Sequence, residues 1–194
     1  QQDVVAALRP LRGNEHELEI QFTLRPGKDF QEVAIGKTNF GFFAVRVAKS
    51  ISEHFGKGQL TDSESRRGEE DIFGRTARWM DYSGKVSAGK GSARKEVVEG
   101  ITFHDHPSNP RYPTTWHVRA DGWMGASFCL QEGFALTHDQ PLTLRYLLHA
   151  HAGDYDEKVA EQVHAAFGDR PGFALEKSRQ PHRQFEVKRA SVPD

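Results

Sequence analysis

Short segments in which polar and apolar residues alternate constrain the fold of this chain more than any other feature. The clearest is residues 17–24, where every second residue is apolar, the pattern of a half-buried β-strand. Pro26 and Gly27 follow it as a turn. Comparable apolar or β-branched runs predict eight further strands, at residues 31–35, 40–47, 76–82, 97–103, 116–119, 126–130, 141–149 and 184–188. This succession of elements predicts a mainly β chain folded as an antiparallel β-sandwich.

Only one segment has the periodicity of a sizeable amphipathic helix. In residues 156–167 the apolar residues recur at helical spacing, Asp154 or Asp156 can cap the first turn, and Gly168 follows the last. A single helix after so many strands favours an all-β architecture with one C-terminal helix over an α/β fold.

The length of 194 residues predicts a single domain spanning residues 1–194. Residues 50–71 are polar, charged and glycine-containing, and they predict a long loop that is either a lid or a plain solvated connection. The chain begins with Gln1 rather than Met, which suits a mature form, a trimmed chain or a fragment of a larger sandwich.

Composition narrows the classes of partner. With 26 basic and 27 acidic residues the net charge is -1, which gives no reason to expect nucleic acid as a partner. No apolar run approaches the roughly 20 residues of a membrane-spanning helix, and Cys129 alone cannot form an intrachain disulfide. A soluble protein of unknown location is expected, and a periplasmic or secreted one is compatible if an upstream signal was removed.

The densest group of ionisable residues lies between two predicted strands. Residues 103–119 contain three histidines, one aspartate and two arginines, together with three prolines that stiffen the loop. A stiff polar loop between apolar strands is a common way to present a site. Within it, Asp105 can orient His106 as a general acid or base, or it can cap the proline-rich turn instead.

Two further groups predict a ligand-binding surface. Arg111, His117 and Arg119 suit a carboxylate or hydroxyl-rich ligand, because guanidinium groups bind carboxylates through paired hydrogen bonds; a solvated strand face is the alternative. Trp79 can stack on a sugar ring while Asp81 binds its hydroxyls, although a core role is the ordinary expectation for any single tryptophan.

Two His-x-His pairs raise the question of a metal. His104 and His106 lie two residues apart, as do His149 and His151, and two such pairs on neighbouring strands could hold a transition metal through imidazole nitrogens. Ordinary hydrogen-bonding histidines are the favoured alternative, since no carboxylate stands at a defined spacing from either pair. We therefore predict no cofactor, with a divalent metal as the minor alternative.

Several separate stretches together resemble one family; they are residues 36–48, 77–84, 105–111, 116–119 and 144–146 followed by His151. Their order and spacing are similar to the PmoA-like family of bacterial proteins of unknown function, over about residues 15–154. The resemblance implies a fold similar to the galactose-mutarotase-like supersandwich, of which this chain would be the C-terminal part. It favours as site residues Asp105, His106, Arg111, His117, Arg119 and His151, whereas His104 and His149 depart from the family's pattern.

Proteins with that supersandwich fold are mostly carbohydrate enzymes, so the resemblance implies an epimerase- or lyase-type activity. In this hypothesis the catalytic residues are His106, Asp105 and His117, and the substrate-binding residues are Arg111, Arg119, Trp79, Asp81 and His151. Two alternatives stay open: a non-catalytic carbohydrate-binding β-sandwich, and a metal-dependent enzyme that uses the His-x-His pairs. The expected partner is a small-molecule or oligosaccharide ligand, and either a homo-oligomer or a missing N-terminal half would complete the sandwich.

Overall fold

The computed structural model describes residues 1–191, and strands account for 46% and helices for 14%, so the chain is mainly β as predicted. Two short 3₁₀ helices also occur, at Arg12–Asn14 and Gly91–Ala93. The strands and α-helices of the described residues are β1 (Gln2–Pro10), β2 (His16–Leu24), β3 (Glu32–Ile35), β4 (Phe43–Arg46), α1 (Glu53–Gly56), β5 (Gln59–Asp62), α2 (Gly68–Ile72), β6 (Trp79–Ala88), β7 (Lys95–Asp105), β8 (Trp116–Arg119), β9 (Trp123–Ala126), β10 (Phe134–Thr137), β11 (Leu142–Ala152), α3 (Glu157–Gly168), β12 (Phe173–Lys177) and β13 (Phe185–Arg189).

Two sheets enclose the core. A six-stranded sheet has the order β1-β2-β11-β7-β6-β5, and a three-stranded sheet with the order β4-β9-β8 packs against it. Smaller two-stranded sheets pair β3 with β10 and β12 with β13. All these pairings are antiparallel. The predicted antiparallel, sandwich-like architecture is confirmed.

Aromatic side chains hold the two sheets together. The ring of Phe103 on the large sheet meets Phe43 at 5.2 Å and Trp116 at 4.9 Å, and both partners belong to the small sheet. Each fully buried aromatic ring contributes about 1.5–3 kcal/mol through the area it removes from water. The polar edge of Trp116 is also satisfied, since its Nε1 donates to the carbonyl of Ala77 at 2.9 Å.

Helix α3 confirms the predicted helix, and the stripe through which it packs includes a histidine. Asp156 is its N-cap and accepts hydrogen bonds from the amides of the first turn. The buried residues are Ala160, His164 and Phe167, whereas Val159 is 42% exposed. The helix lies on the outer face of the six-stranded sheet, where it meets polar side chains rather than the apolar core.

Three expectations about individual segments were wrong. Residues 50–71 are not one long loop, because they contain α1, β5 and most of α2 and bury Leu60 completely. The strand expected at 126–130 begins three residues earlier and ends at Ala126, as β9, because the backbone turns at 127–130. Strands β10 and β12 were not anticipated from the sequence.

Strand β1 forms one edge of the large sheet. No strand pairs with its outer edge within residues 1–191, and Val4 and Leu8 are 53% and 67% exposed. Pairing of this edge with another copy or with a missing N-terminal half stays a prediction. Across residues 1–191 we find no helix whose length and apolar character would let it span a membrane.

Candidate functional site

The outer face of the six-stranded sheet carries mostly ionisable and polar side chains. They occupy the alternate positions of β2, β6, β7 and β11 that point away from Phe22, Phe103 and Tyr146 in the core. Helix α3 covers part of this surface, since Phe167 packs on His106 with a ring distance of 4.6 Å. The β12–β13 hairpin covers another part. We call this surface the polar face. Its residues, nearly all of them buried, are Glu17, Glu19, Gln21, Asp81, Ser83, Thr102, His104, Arg145, His149 and His151.

Asp81 and His151 form a buried ion pair on the polar face. His151 Nε2 donates to Asp81 Oδ2 at 2.8 Å, Thr102 Oγ1 donates to the same oxygen at 2.8 Å, and Ser83 Oγ donates to Oδ1. Burial alone would lower the pKa of His151, but the hydrogen bond and the charge of Asp81 outweigh it and raise that pKa above its ordinary value. A histidine held in this way can take up and release a proton near neutral pH.

Gly100 on β7 makes this arrangement possible. Its backbone pairs with Ser83 of β6 on one side and with His151 of β11 on the other. A Cβ added at Gly100 would lie 2.6 Å from His151 Nε2 and 2.7 Å from Ser83 Oγ. The space that this glycine leaves empty therefore allows two side chains from non-adjacent strands to reach Asp81 together.

A cavity of about 400 Å³ opens beside Ser83. Its wall includes one hydroxyl-bearing ring, one carboxylate and three basic side chains, contributed by Tyr155, Asp154, Lys57, Arg67 and Lys85. The excess of basic groups suits an anionic ligand, and the hydroxyl groups of the wall can exchange hydrogen bonds with ligand hydroxyls. Ser83, which donates to Asp81, lines this cavity, whereas Asp81 and His151 themselves lie one side chain behind its wall.

Trp79 belongs to a buried cluster under α3. It is fully buried, its Nε1 donates to the hydroxyl of Tyr155 at 3.0 Å, and its ring packs against His104 and His164. Trp79 therefore offers no open face on which a sugar ring could stack. His104 is unusual, because neither ring nitrogen has a hydrogen-bond partner within the described chain. Burial holds its pKa well below the ordinary value, so His104 is neutral.

His106 is bound to an arginine rather than to an aspartate. Arg145 Nη1 lies 2.7 Å from His106 Nε2, and because arginine can only donate, Nε2 is the acceptor. The Ser108 amide donates to Nδ1 at 3.0 Å, and Ser108 Oγ lies 2.8 Å from the same nitrogen. Burial and the charge of Arg145 lower the pKa of His106 to about 4. Both nitrogens are thus committed, and His106 orients Arg145.

Asp105 faces the core, on the opposite side of the sheet from His106. Its carboxylate accepts hydrogen bonds from Asn109 Nδ2 at 2.7 Å and from the amide of Thr114 at 2.9 Å, so it closes the proline-rich loop. Burial raises the pKa of Asp105 to about 7 despite these two hydrogen bonds. Of the two readings of Asp105 drawn from the sequence, this geometry fits the loop-capping one.

The structure does not bring the other expected residues to His106. Arg111 turns away to the carbonyls of Phe128, Glu132 and Gly133, with its guanidinium 4.9 Å from the Phe128 ring centre. His117 and Arg119 lie on the outer face of the small sheet, because their neighbours on β8 fill the core. The loop residues therefore point to three different surfaces of the molecule.

The two His-x-His pairs also separate. His106 contacts Arg145, His149 lies 3.3 Å from Glu15, and His151 binds Asp81. Among residues 1–191, no group of three or more histidine, cysteine, aspartate or glutamate side chains is arranged to hold a metal ion.

Arg145 and its partners on the polar face were missed from the sequence. Glu19 accepts hydrogen bonds from Arg145 at 3.1 Å and from Arg189 at 2.7 Å, and Arg170 reaches Glu17 at 2.7 Å. Burial alone would raise the pKa of Glu19, but the two guanidinium groups bonded to it lower it, so it is ionised. The sequence shows that these residues share the face opposite the core, because they alternate with apolar residues on β2 and β11. Alternation alone does not show that α3 and the hairpin cover that face.

Comparison with known proteins gives one match. Residues 5–165 match a family described as "Family of unknown function (DUF6807)". No protein with a curated description matches the chain, and no solved structure does.

Proposed function

The chain belongs to the DUF6807 family of unknown function, and on that premise we propose a carbohydrate-active protein, an epimerase- or lyase-type enzyme that uses Asp81 and His151 as its acid–base pair. The observation that supports this most is the ion pair of Asp81 with His151, at 2.8 Å, beside a cavity of about 400 Å³ with basic walls. The narrower likeness to PmoA-like proteins and to the mutarotase-like supersandwich is part of the same proposal.

The chemistry follows from the charges around the cavity. Epimerisation or β-elimination of a sugar acid begins when a base removes the proton on the carbon next to the carboxylate. The substrate reaches His151 past Ser83, and His151, oriented by Asp81, is the base. In β-elimination it passes the proton to the leaving oxygen, whereas in epimerisation the hydroxyl of Tyr155 in the cavity wall supplies a proton to the opposite face. Lys57, Arg67 and Lys85 favour the substrate carboxylate and stabilise the negative charge that develops on it.

Other residues take supporting roles in this proposal. Asp105 shapes the proline-rich loop and His106 orients Arg145, whereas the hypothesis from sequence made both catalytic. Trp79 and Tyr155 form one wall between the cavity and α3. The substrate-binding role first assigned to His151 becomes a catalytic one.

The test uses sugar acids in heavy water. The purified protein is incubated with a panel of uronic acids, and NMR follows loss of the proton next to the carboxylate together with any epimer or unsaturated product. Asp81→Asn and His151→Gln should each slow exchange by about a hundred- to ten-thousand-fold. His16→Gln, an exposed histidine at the start of β2, is the matched control and should keep full activity.

Two results would count against the enzyme. One is exchange that survives in His151→Gln while the variant melts at the wild-type temperature. The other is the absence of exchange or product with every acid of the panel, which would reject the hypothesis of an epimerase or lyase.

The second candidate function is non-catalytic carbohydrate binding, and an aromatic surface favours it. Phe40 and Phe73 are 60% and 43% exposed and flank His117 at ring distances of 5.3 Å each. Trp123 lies beside them, with Arg46 over its ring. This shallow platform can stack on a sugar ring. Binding of neutral oligosaccharides that is lost in Phe40→Ala and kept in His151→Gln would select this function.

A further inference from the structure

We propose that the cleft between the polar face and the β12–β13 hairpin is a second ligand site, which binds a carboxylate carried on a flat apolar ring. We call it the hairpin cleft. Its volume is about 670 Å³, within the range of small-molecule sites, and its walls include Thr23, Thr143, Arg145, Phe173 and Phe185. It is separate from the cavity beside Ser83, with which it shares no lining residue.

The charge beside the cleft favours an anion. Within one connected cluster, four guanidinium groups meet only two carboxylates, which leaves two positive charges in excess; the members are Arg9, Arg145, Arg170, Arg189, Glu17 and Glu19. Arg145 is the most buried guanidinium of the cluster, with a side chain only 6% exposed, and it shares its carboxylate, Glu19, with Arg170 and Arg189. A cation that is removed from water without full compensation is costly, and a bound anion would remove that cost.

Arg145 also has a donor to spare. Its Nη1 is used by His106 and its Nη2 by Glu19 and the carbonyl of Pro171, but Nε is buried and has no acceptor within residues 1–191. Such an orphaned donor in a wall of a cleft is a ready contact for a ligand oxygen.

Gly172 leaves the approach to this donor open. A Cβ at Gly172, another residue of the cleft wall, would stand 3.8 Å from Arg145 Nε and 3.0 Å from Gln21 Oε1. Any side chain at this position would fill the space in front of the orphaned N–H. The site therefore combines a buried cation with an unused donor, and the space that Gly172 leaves empty lies in front of that donor.

The remaining walls of the cleft indicate the chemistry of the part of the ligand that carries the carboxylate. Phe173, Leu175 and Phe185 supply apolar surface, and Phe185 is 61% exposed although it is a large aromatic residue. Thr23 and Thr143 supply hydroxyl groups opposite them. A flat ring between the phenylalanines and the threonines, with its carboxylate at Arg145, uses each of these features.

Part of the cleft lies outside the region that matches the family. The match ends at residue 165, whereas residues 172–175 and 185 come from the hairpin. The hairpin cleft is thus not covered by the family description, and it does not depend on the function proposed for Asp81 and His151.

Benzoate tests the site in the full chain, with benzyl alcohol as its uncharged counterpart and inorganic phosphate as the bare anion. Calorimetry should show saturable binding of benzoate and at least tenfold weaker binding of both comparison compounds. Phe185→Ala and Gly172→Ala should each weaken benzoate at least tenfold, since the first removes an exposed wall and the second fills the approach to Arg145. Phe55→Ala, an exposed phenylalanine outside the cleft, and Lys85→Gln, in the other cavity, should bind benzoate normally.

Several outcomes would overturn the proposal. Absence of saturable benzoate binding would do so, and so would equal binding of benzyl alcohol, because Arg145 would then play no part. If phosphate bound as tightly as benzoate, the site would recognise a bare anion, and the proposed apolar ring would play no part. Loss of benzoate binding in Lys85→Gln, with Phe185→Ala unaffected, would move the ligand to the Ser83 cavity and so separate this proposal from the enzymatic one.

Discussion

The two faces of the six-stranded sheet are both buried, yet they are built in opposite ways. The inner face presents Phe22, Phe103 and Tyr146 to the small sheet, and its packing is aromatic and apolar. The outer face presents Glu19 and Arg145 among other ionisable groups to α3 and the hairpin. Successive residues of the same strand therefore pack into two different layers, one apolar and one rich in ionisable groups.

The difference between the faces separates residues that stabilise the fold from residues that cost it stability. Apolar burial is favourable in proportion to the buried area, whereas a buried charge stabilises the fold only when its partners compensate for its lost hydration. On the outer face that compensation is incomplete, since His104 and Arg145 keep unpartnered nitrogens. Groups retained at such a cost support our proposal that the outer face carries the function.

The largest effect is expected at adjacent residues on opposite faces. Phe103→Ala removes a fully buried ring from the core and should lower the free energy of unfolding by about 3–5 kcal/mol. Thr102→Val removes only the hydrogen bond to Asp81 and should cost about 1 kcal/mol. Urea unfolding measures both. Equal costs would erase the distinction between the two faces.

A similar loss is expected when the charge balance of the outer face is broken. Glu19→Gln leaves Arg145 and Arg189 without their shared carboxylate and should cost about 3 kcal/mol. Glu132→Gln is the control, because this glutamate is 71% exposed and its pair with Arg111 should be worth less than about 1 kcal/mol. A Glu19→Gln variant as stable as the control would mean that the cluster contributes nothing.

The histidines of the outer face should make the protein sensitive to acid. Burial lowers the pKa of His106 and His164 to about 4 and that of His104 well below 6.5, so the unfolded chain binds protons first as pH falls. Their contribution to stability is therefore present above pH 6.5 and is lost towards pH 4, by about 1.4 kcal/mol per pH unit for each proton. The raised pKa values of Asp105 (about 7) and Glu53 oppose this in the same window, but they are two groups against three. The raised pKa of His151 stabilises the folded chain as pH falls towards 6.5, so it opposes the loss only above that pH.

Melting temperatures should not fall between pH 7.5 and 6.5, and they should fall from pH 6.5 to 4.5. A flat profile would show that these histidines are charged, or exposed, in the folded protein.

The smallest effect is expected at His104. His104→Leu removes two buried nitrogens without partners, so the variant should be as stable as the wild type at pH 7.5 or more stable by about 1 kcal/mol. The stability of this variant should also depend less steeply on pH, because unfolding takes up one proton fewer in acid. His106→Leu, which deprives Arg145 of an acceptor, is the matched comparison and should be destabilised. The reverse order would show that His104 has a partner or a function.

Most of the fold was present in the sequence, because the signals for strands and caps are local. The alternation in residues 17–24 appears as β2, and the helix expected at 156–167 appears as α3 with Asp156 as its cap. The segment 50–71 was misinterpreted because its three elements are each only four or five residues long. Periodicity needs a longer window than that.

The site depended on tertiary structure. Asp105 and His106 are adjacent in sequence, and for that reason a strand sends them to opposite faces, where one closes a loop and the other binds Arg145. Asp81 and His151 are 70 residues apart, and they meet because β6 and β11 both border β7 at Gly100. Alternation along a strand is decided by the sequence itself, whereas the order in which strands pair depends on the whole chain.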